Sequence, residues 1–395
     1  MNAPTAAPAG ARLGLAAIFG STFFALVGYF ILSPLLLLKL KGADVSSTLA
    51  GMFVATNWLG ILVMTPFASS VANRIGRRQC MWLASVVLML CALLFTLTDQ
   101  LPVWFALNLL SGIAMSLRWV LAEALIAEFC PPDQRGRYVG LFQTLVSATF
   151  IIGPALLVWL GTQSEVTLRV VNGLNLLGLF WTVLIPAVPA AADAGTARVG
   201  LHGLWHAVLA HPIIMLAGFV GGFFETGVTS ILPLYGLALG LSPDAAAVMV
   251  SISGLGGVLI MMPAGWLADR FSNQAQGRRT LMVWSAAVML VATATLPFVA
   301  QTNGLAWPIV FVWGGAGGTL YTMAMTDIGS REKGITLVNS TAVLVLTYTL
   351  GGLMASGLSG ALIDWSPGAA FPAVLTLVAA LGLGALVRSR RGQAL

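Results

Sequence analysis

The chain has 395 residues, of which 58% are hydrophobic and only 8% charged, with a formal net charge of +6. A soluble domain carries about 25% charged residues, so this composition excludes a water-covered fold and points to a polytopic membrane protein, all-α rather than barrel because the apolar runs are continuous. The basic balance does not indicate a nucleic-acid partner, since Lys and Arg fall in short clusters between apolar runs, and three scattered cysteines (Cys80, Cys91, Cys130) make neither a CxxC motif nor a disulfide framework.

In chain order, twelve runs are long enough to cross a bilayer: roughly 13–38, 45–70, 79–99, 103–128, 137–161, 168–189, 212–239, 245–268, 280–300, 305–327, 335–362 and 368–388. The first is too long for a secretory h-region and lacks a convincing cleavage site, so it reads as a retained span. Fifteen Lys and Arg lie in loops and ends on one side; only Lys39, Lys41 and Arg169 lie on the other. The positive-inside bias puts both termini in the cytoplasm of a multi-pass protein of the cell (inner) membrane. Between the sixth and seventh spans, residues 190–211 form the longest loop, with His202, His206 and His211. His202 and His206 have a zinc-like spacing but no third firm ligand; the alternative is a short amphipathic helix on the membrane surface. No metal and no cofactor is expected.

The second half echoes the first. Pro34 and Pro233 are 199 apart and Pro66 and Pro263 are 197 apart. ANRIGRR (72–78) returns, with an insertion, as ADRFSNQAQGRR (268–279), and the pair Gly136/Gly153 returns 198 positions later as Gly334/Gly351. The expected domains are 1–189 and 212–395, each a six-helix bundle, joined by the linker 190–211. Six is even, so the halves share an orientation and a pseudo-two-fold axis runs along the membrane normal. Such a pair encloses a cavity that opens to each side in turn.

Ionisable groups inside a bilayer cost at least about 2.5–3.5 kcal/mol each on insertion scales, so they face a wet cavity or a partner. Three qualify: Arg118 and Glu123 in MSLRWVLAEALIAEF (115–129), and Glu225 in GFFETGV. At 1.5 Å per residue, Arg118 lies roughly 4 Å inside the midpoint of its span and Glu123 about 7–8 Å nearer the cytoplasm. Glu123 either pairs with Arg74 or Arg77 or serves the cavity. Glu225 is either a proton or cation switch or a hydrogen-bonded structural acid beside Gly218 and Gly222. Asn57, Trp58, Trp119, Gln143, Tyr29, Tyr321 and Tyr348 are the other candidates for a small-molecule pocket. The glycine-rich GGAGG (314–318) sits inside a span without a P-loop Lys and reads as a helix contact.

These features resemble the major facilitator superfamily over the whole chain. Its loop pattern G-x-L-A-D-R-x-G-R-R is matched by Gly265, Leu267, Ala268, Asp269 and Arg270, then Gly277, Arg278 and Arg279 after the insertion. The first copy keeps Arg74, Gly76, Arg77 and Arg78 but has Ser69 for Gly and Asn73 for Asp. The resemblance implies that these loops latch a cytoplasmic gate, formed here by Arg74, Gly76, Arg77, Asp269, Arg270, Gly277 and Arg278. WVLAEALI (119–126), RGRYVGLFQTLVSATFIIGPALL (135–157) and GGAGGTLYTMAMTD (314–327) resemble the YcaD-type branch. Asn108 stands where many members carry Arg, four residues before Gly112. The expected function is secondary active transport of a small organic solute, with proton-coupled export (antiport) first and proton symport or facilitated uptake second. A membrane enzyme or a non-transporting sensor is a distant alternative, because no HExxH, GxSxG or added soluble domain is present. Expected partners are a small-molecule substrate, protons and the lipid bilayer, in a monomer.

Overall fold

In the computed structural model, residues 10–43, 47–161, 165–187, 200–228, 232, 235, 239–240, 243–299, 306–366 and 369–391 are described. Arg198, Pro233 and residues 190–199 of the linker lie outside the described residues. The described chain is helical and contains no strand. The first half forms α1 (Ala11–Gly42), α2 (Ser47–Met64), α3 (Ala68–Ile75), α4 (Arg77–Leu97), α5 (Leu101–Phe129), α6 (Arg135–Leu160) and α7 (Glu165–Val183). After α8 (Gly200–Ala210) come α9 (Pro212–Gly222), α10 (Pro243–Arg270), α11 (Gln274–Val299), α12 (Ala306–Arg331), α13 (Gly334–Trp365) and α14 (Ala370–Arg391).

Among the described residues, each of the twelve expected spans falls at least in part on helix. Among the described residues nine helices are long and apolar enough to cross a membrane, or ten if the bent pair α8–α9 counts as one. α12 falls outside that set for a physical reason: it is glycine-rich and buried from Trp313 to Gly329, so it contacts protein instead of lipid. α5 is its counterpart, 78% buried over its apolar window, whereas α7 is only 22% buried. Helices near the rim show lipid the side chains that a soluble protein would hide, such as Leu94 and Leu97 on α4, Phe180 on α7, Val291 and Phe298 on α11 and Leu381 on α14.

Among the described residues, two spans depart from regular helix. The second breaks at a 3-10 turn, Thr65–Phe67, where Pro66 cannot donate the helical hydrogen bond. Gly76, at φ 97°, then turns the chain from α3 into α4, a conformation that side-chain-bearing residues adopt with difficulty. The seventh span passes from α9 into a π-helical segment, Phe223–Val228, which carries Glu225.

The chain divides into two compact units, one of Met1–Pro131, Thr149–Ala207 and Glu332–Ala342, the other of Pro132–Ala148, Val208–Arg331 and Val343–Leu395. The opening of α6 thus groups with the second unit and the opening of α13 with the first. Helix neighbours recur: α2 on α5, α4 on α5, α4 on α7 and α1 on α7 in the first unit, α10 on α12, α11 on α12, α11 on α14 and α9 on α14 in the second. Glycines set the closest of these contacts. A methyl added at Gly112 would strike the Asn57 carbonyl, and one at Gly314 the Ser253 carbonyl. Asn57 and Ser253 are themselves 196 positions apart, so the repeat read in the sequence is written in the packing of each unit.

Candidate functional site

Arg118 projects from α5 into the interior of the first unit and is 4% exposed. Its Nη1 donates to the hydroxyl of Ser85 on α4 and, at 3.2 Å, to that of Thr182 on α7; Nη2 donates to the Ser21 carbonyl of α1 at 3.0 Å. Ser85 and Thr182 pass their own protons to Met81 O and Gly178 O, so their lone pairs are left to receive the guanidinium. One cation thereby ties three helices to α5, and among the described residues no carboxylate forms an ion pair with it.

Glu123, 2% exposed, accepts a 3.0 Å hydrogen bond from Trp119 Nε1, one turn away on the same helix. Arg77 pairs in forked fashion with Glu128, its Nη2 standing 3.3 Å from Oε1. Arg74 is exposed on α3. Glu128 is therefore one carboxylate that the sequence reading missed.

A polar string crosses the same unit farther along α5. Tyr29 donates to Asn57 Oδ1 at 3.0 Å, Asn57 Nδ2 donates to the Asn108 carbonyl at 3.2 Å, and Asn108 Nδ2 donates to Phe53 O at 2.6 Å. Trp58, beside Asn57, is half-buried. Tyr29 and Asn108 also line a cleft within the unit, together with Ser33, Ser111 and Asn175 on otherwise apolar walls. Asn108 thus has a role of its own: it fixes α5 to α2.

In the second unit Glu225 is half-buried in the π-helical segment. Gly317 of α12 brings the two backbones together, since a Cβ there would lie 3.2 Å from Glu225 N. Next to it, Phe224 packs on Trp313, ring centroids 5.7 Å apart. Tyr321 and Tyr348 meet edge to face at 4.7 Å, linking α12 to α13. Gln143 is buried on the opening half of α6. Arg118 and Glu225 belong to different units.

At the loop ends of the second unit, Asp269 accepts the backbone N–H groups of Gly136 at 2.9 Å and Arg137 at 2.7 Å, at the first turn of α6. Those donors have no partner inside the helix, and the positive end of the helix dipole favours the carboxylate. Arg270 stacks over Trp266 at 3.6 Å, and Gly277 makes room for the Phe271 ring. Arg278 donates from Nε to Asp327 at 3.1 Å and from Nη2 to Ser330 at 2.8 Å, and Arg331 reaches the other Asp327 oxygen at 2.9 Å. Arg77 and Arg278 occupy the same place in the repeat, and each pairs with an acid near the end of the corresponding helix of its half, 51 and 49 residues further along the chain.

A model of the Major Facilitator Superfamily matches residues 18–336. The chain belongs to this superfamily. Curated relatives include the uncharacterized MFS-type transporters YfkF of Bacillus subtilis (strain 168), 22% identical over 329 residues, and YcaD of Escherichia coli (strain SE11), 26% identical over 336 residues. Each alignment covers 82% of this chain and 82% of the relative. Among solved structures, the human organic anion transporter MFSD10 (TETRAN) matches at TM-score 0.78 and 14% identity, over 95% of this chain and 99% of that one. The proton:xylose symporter XylE matches at TM-score 0.71 and 16% identity, over 94% of each chain. A bacterial homologue of the iron transporter ferroportin matches at 0.75 and 13%, over 96% of this chain and 98% of that one. These likenesses establish the fold.

The protein is accordingly a secondary transporter in a lipid bilayer that handles a small-molecule substrate, and not an enzyme. Of the expected site residues, the structure brings together Tyr29 with Asn57, Trp119 with Glu123, and Tyr321 with Tyr348. Ser85, Thr182, Asn108, Glu128 and Asp327 complete the polar framework. The repeat held a signal for two of these: an acid sits about 50 residues after the loop arginine in both halves.

Proposed function

We propose that this transporter exports a small organic solute in exchange for protons, by alternating access, with Glu225 as the proton-carrying acid. The observation that carries this reading is the position of Glu225: a half-buried carboxylate in a π-helical turn of an otherwise apolar span. π-Helical turns concentrate at functional sites, and ionisable groups at such depth mark ion pathways. Arg118 and Glu123 contribute the other intramembrane charges of the coupling machinery. Asn57, Trp58, Trp119, Gln143, Tyr29, Tyr321 and Tyr348 supply the mixed polar and aromatic contacts that a small solute needs. Two like-oriented six-helix repeats, 1–189 and 212–395, work as the moving parts, in a monomer of the inner membrane with cytoplasmic termini. Arg74, Gly76, Arg77, Asp269, Arg270, Gly277 and Arg278 form the cytoplasmic gate.

The test starts from solutes that raise the melting temperature of the purified protein, because a ligand of the native state stabilises it. Their flux is then followed in proteoliposomes at two pH values. Glu225→Gln is expected to abolish the pH dependence of flux while leaving the melting shift in place. Wild-type flux and wild-type pH dependence in this variant remove Glu225 from coupling. Movement of solute with the proton, instead of against it, replaces antiport by symport.

A further inference from the structure

The cleft of the first unit lies between α1, α4, α5 and α7. It ends one turn from the cage around Arg118: Ala25, Leu88 and Met115 line it, and they stand four, three and three residues from Ser21, Ser85 and Arg118. Toward the α4–α5 loop its wall is Phe95, packed edge to face on Phe53 and Trp104. Polar groups along this line are left over. Asn108 and Asn175 are 8% and 9% exposed. Their amide nitrogens donate to Phe53 O and Val171 O, but their carboxamide oxygens receive no donor among the described residues. A guanidinium has five N–H donors. Arg118 commits three, to Ser85, Thr182 and Ser21 O, and the other two meet no acceptor among the described residues. An unmet buried polar atom costs about 1–3 kcal/mol, and more when charged. The second unit is built differently at the matching place. Gly112 and Gly314 make the same helix contact, which sets Asn108 and Ser111 against Val310 and Trp313, both buried. An aliphatic side chain and an indole there stand where the first unit has a carboxamide and a hydroxyl.

We propose that this cleft is an internal water site, whose waters bridge the carboxamide oxygens of Asn108 and Asn175 to the uncommitted N–H groups of Arg118. The carboxamide oxygens call for a donor and the guanidinium for an acceptor, and water is both. A metal ion or ammonium would sit beside the Arg118 charge in a medium that screens it poorly, and an anion would face two carboxamide oxygens. The cleft volume of about 30 Å³ suits about two waters, since each needs roughly 10–15 Å³. Two waters in line span about 8 Å at hydrogen-bond distance, more than the rise of about 5.4 Å in one helical turn. The hydroxyls of Tyr29, Ser33 and Ser111 line the same cleft and give the waters further partners. Water thus meets, inside one six-helix unit, a charge that no carboxylate pairs with among the described residues. The inference names no solute and no coupling ion, so it stands or falls apart from the transport reading.

The experiment places the full-length protein in nanodiscs of phosphatidylethanolamine and phosphatidylglycerol. An X-ray pulse makes hydroxyl radicals from water where that water sits, and mass spectrometry reads methionine oxidation. Met115, on the wall of the cleft, is the reporter, and the fully buried Met289 on α11 is the dry reference. Met115 is expected to oxidise about ten times faster than Met289. Asn175→Leu removes the acceptor and gives up only a bond to its own helix, so it is expected to cut Met115 oxidation several-fold. Asn175→Ser keeps an acceptor and should leave oxidation at or above the wild-type rate. A double-mutant cycle then tests the bridge: the melting shift caused by Asn175→Leu should fall to half or less in an Arg118→Met background. Oxidation of Met115 as slow as that of Met289 overturns the water site, because the cleft is then dry or filled by an acyl chain. Oxidation unchanged by Asn175→Leu overturns it as well, because the radicals then come from bulk water. A melting shift of equal size with and without Arg118 overturns the bridge. Should Arg118→Met fail to fold, the oxidation rates decide alone.

Discussion

Glu128 at the end of α5 receives Arg77, and Asp327 near the end of α12 receives Arg278; in the neighbouring loops, Asp269 caps α6 while its counterpart Asn73 is exposed on α3. The repeat has kept the ion pair in both halves and the capping acid in one. Burial accounts for the difference. The side chains of Arg77 and Arg278 are 7% and 5% exposed, so losing either acid strands a cation away from water. Such a loss costs about 3–5 kcal/mol, whereas a lost helix cap costs about 1 kcal/mol. Divergence between the copies is therefore expected where the penalty is small, and the sequence has diverged there.

The largest test of this comparison removes the acids. Asp327, 1% exposed, holds two arginines, so Asp327→Ala is expected to destabilise by about 3–5 kcal/mol and to give the deepest fall in melting temperature. Glu128 is 19% exposed and holds one arginine, and water can reach what Glu128→Ala leaves behind. A smaller fall is expected there. Should Glu128→Ala melt lower than Asp327→Ala, burial is not what preserves these pairs.

Next in size are the glycines that let α5 and α12 approach their neighbours. Gly112→Ala and Gly314→Ala each drive a methyl into a backbone carbonyl, which cannot swing aside. Overpacking of this kind costs about 1–3 kcal/mol. Both variants should lose stability to a similar degree if the two units pack alike. Gly384→Ala, with nothing within 4 Å of the added atom, is the control and should be neutral or slightly stabilising. Melting curves of the three variants measure the order directly.

What the sequence disclosed follows the same physics. Hydrocarbon demands a long apolar run from each lipid-facing helix, so the spans were legible one by one. The two-bundle arrangement followed from their number and the 200-residue echo, and the superfamily from the resemblance of the loop motifs. Partner choice was not legible in that way. Glu123 was expected either to pair with Arg74 or Arg77 or to serve the cavity, and the spans alone did not show that Arg77 would reach Glu128, five residues on. Arg118 was expected to face a cavity or a partner, and its depth gave no hint that Ser85, Thr182 and the Ser21 carbonyl would receive it. The π-helical turn around Glu225 left no distinguishing local mark either, since FFETGV carries no proline and its one glycine is of a kind repeated throughout the spans.

The smallest effect is the most specific to the comparison. Asp269→Asn keeps the shape but removes the charge that faces the α6 dipole and replaces one of the two accepting oxygens with an amide donor. The expected cost is about 1 kcal/mol, too little to unfold the protein, and it should appear as faster amide exchange in the peptide that contains Gly136 and Arg137. By the repeat, Asn73 stands to Gly334 as Asp269 stands to Gly136, and Gly334 opens α13 at φ 61°. Asn73→Asp restores the acid that the second copy has, and should slow exchange in the first turn of α13 by a similar factor. Exchange that slows there shows a latch lost through one substitution. Exchange that stays unchanged shows that the first loop has also moved away from its helix, and that the two halves of this transporter differ at the loop by more than one charge.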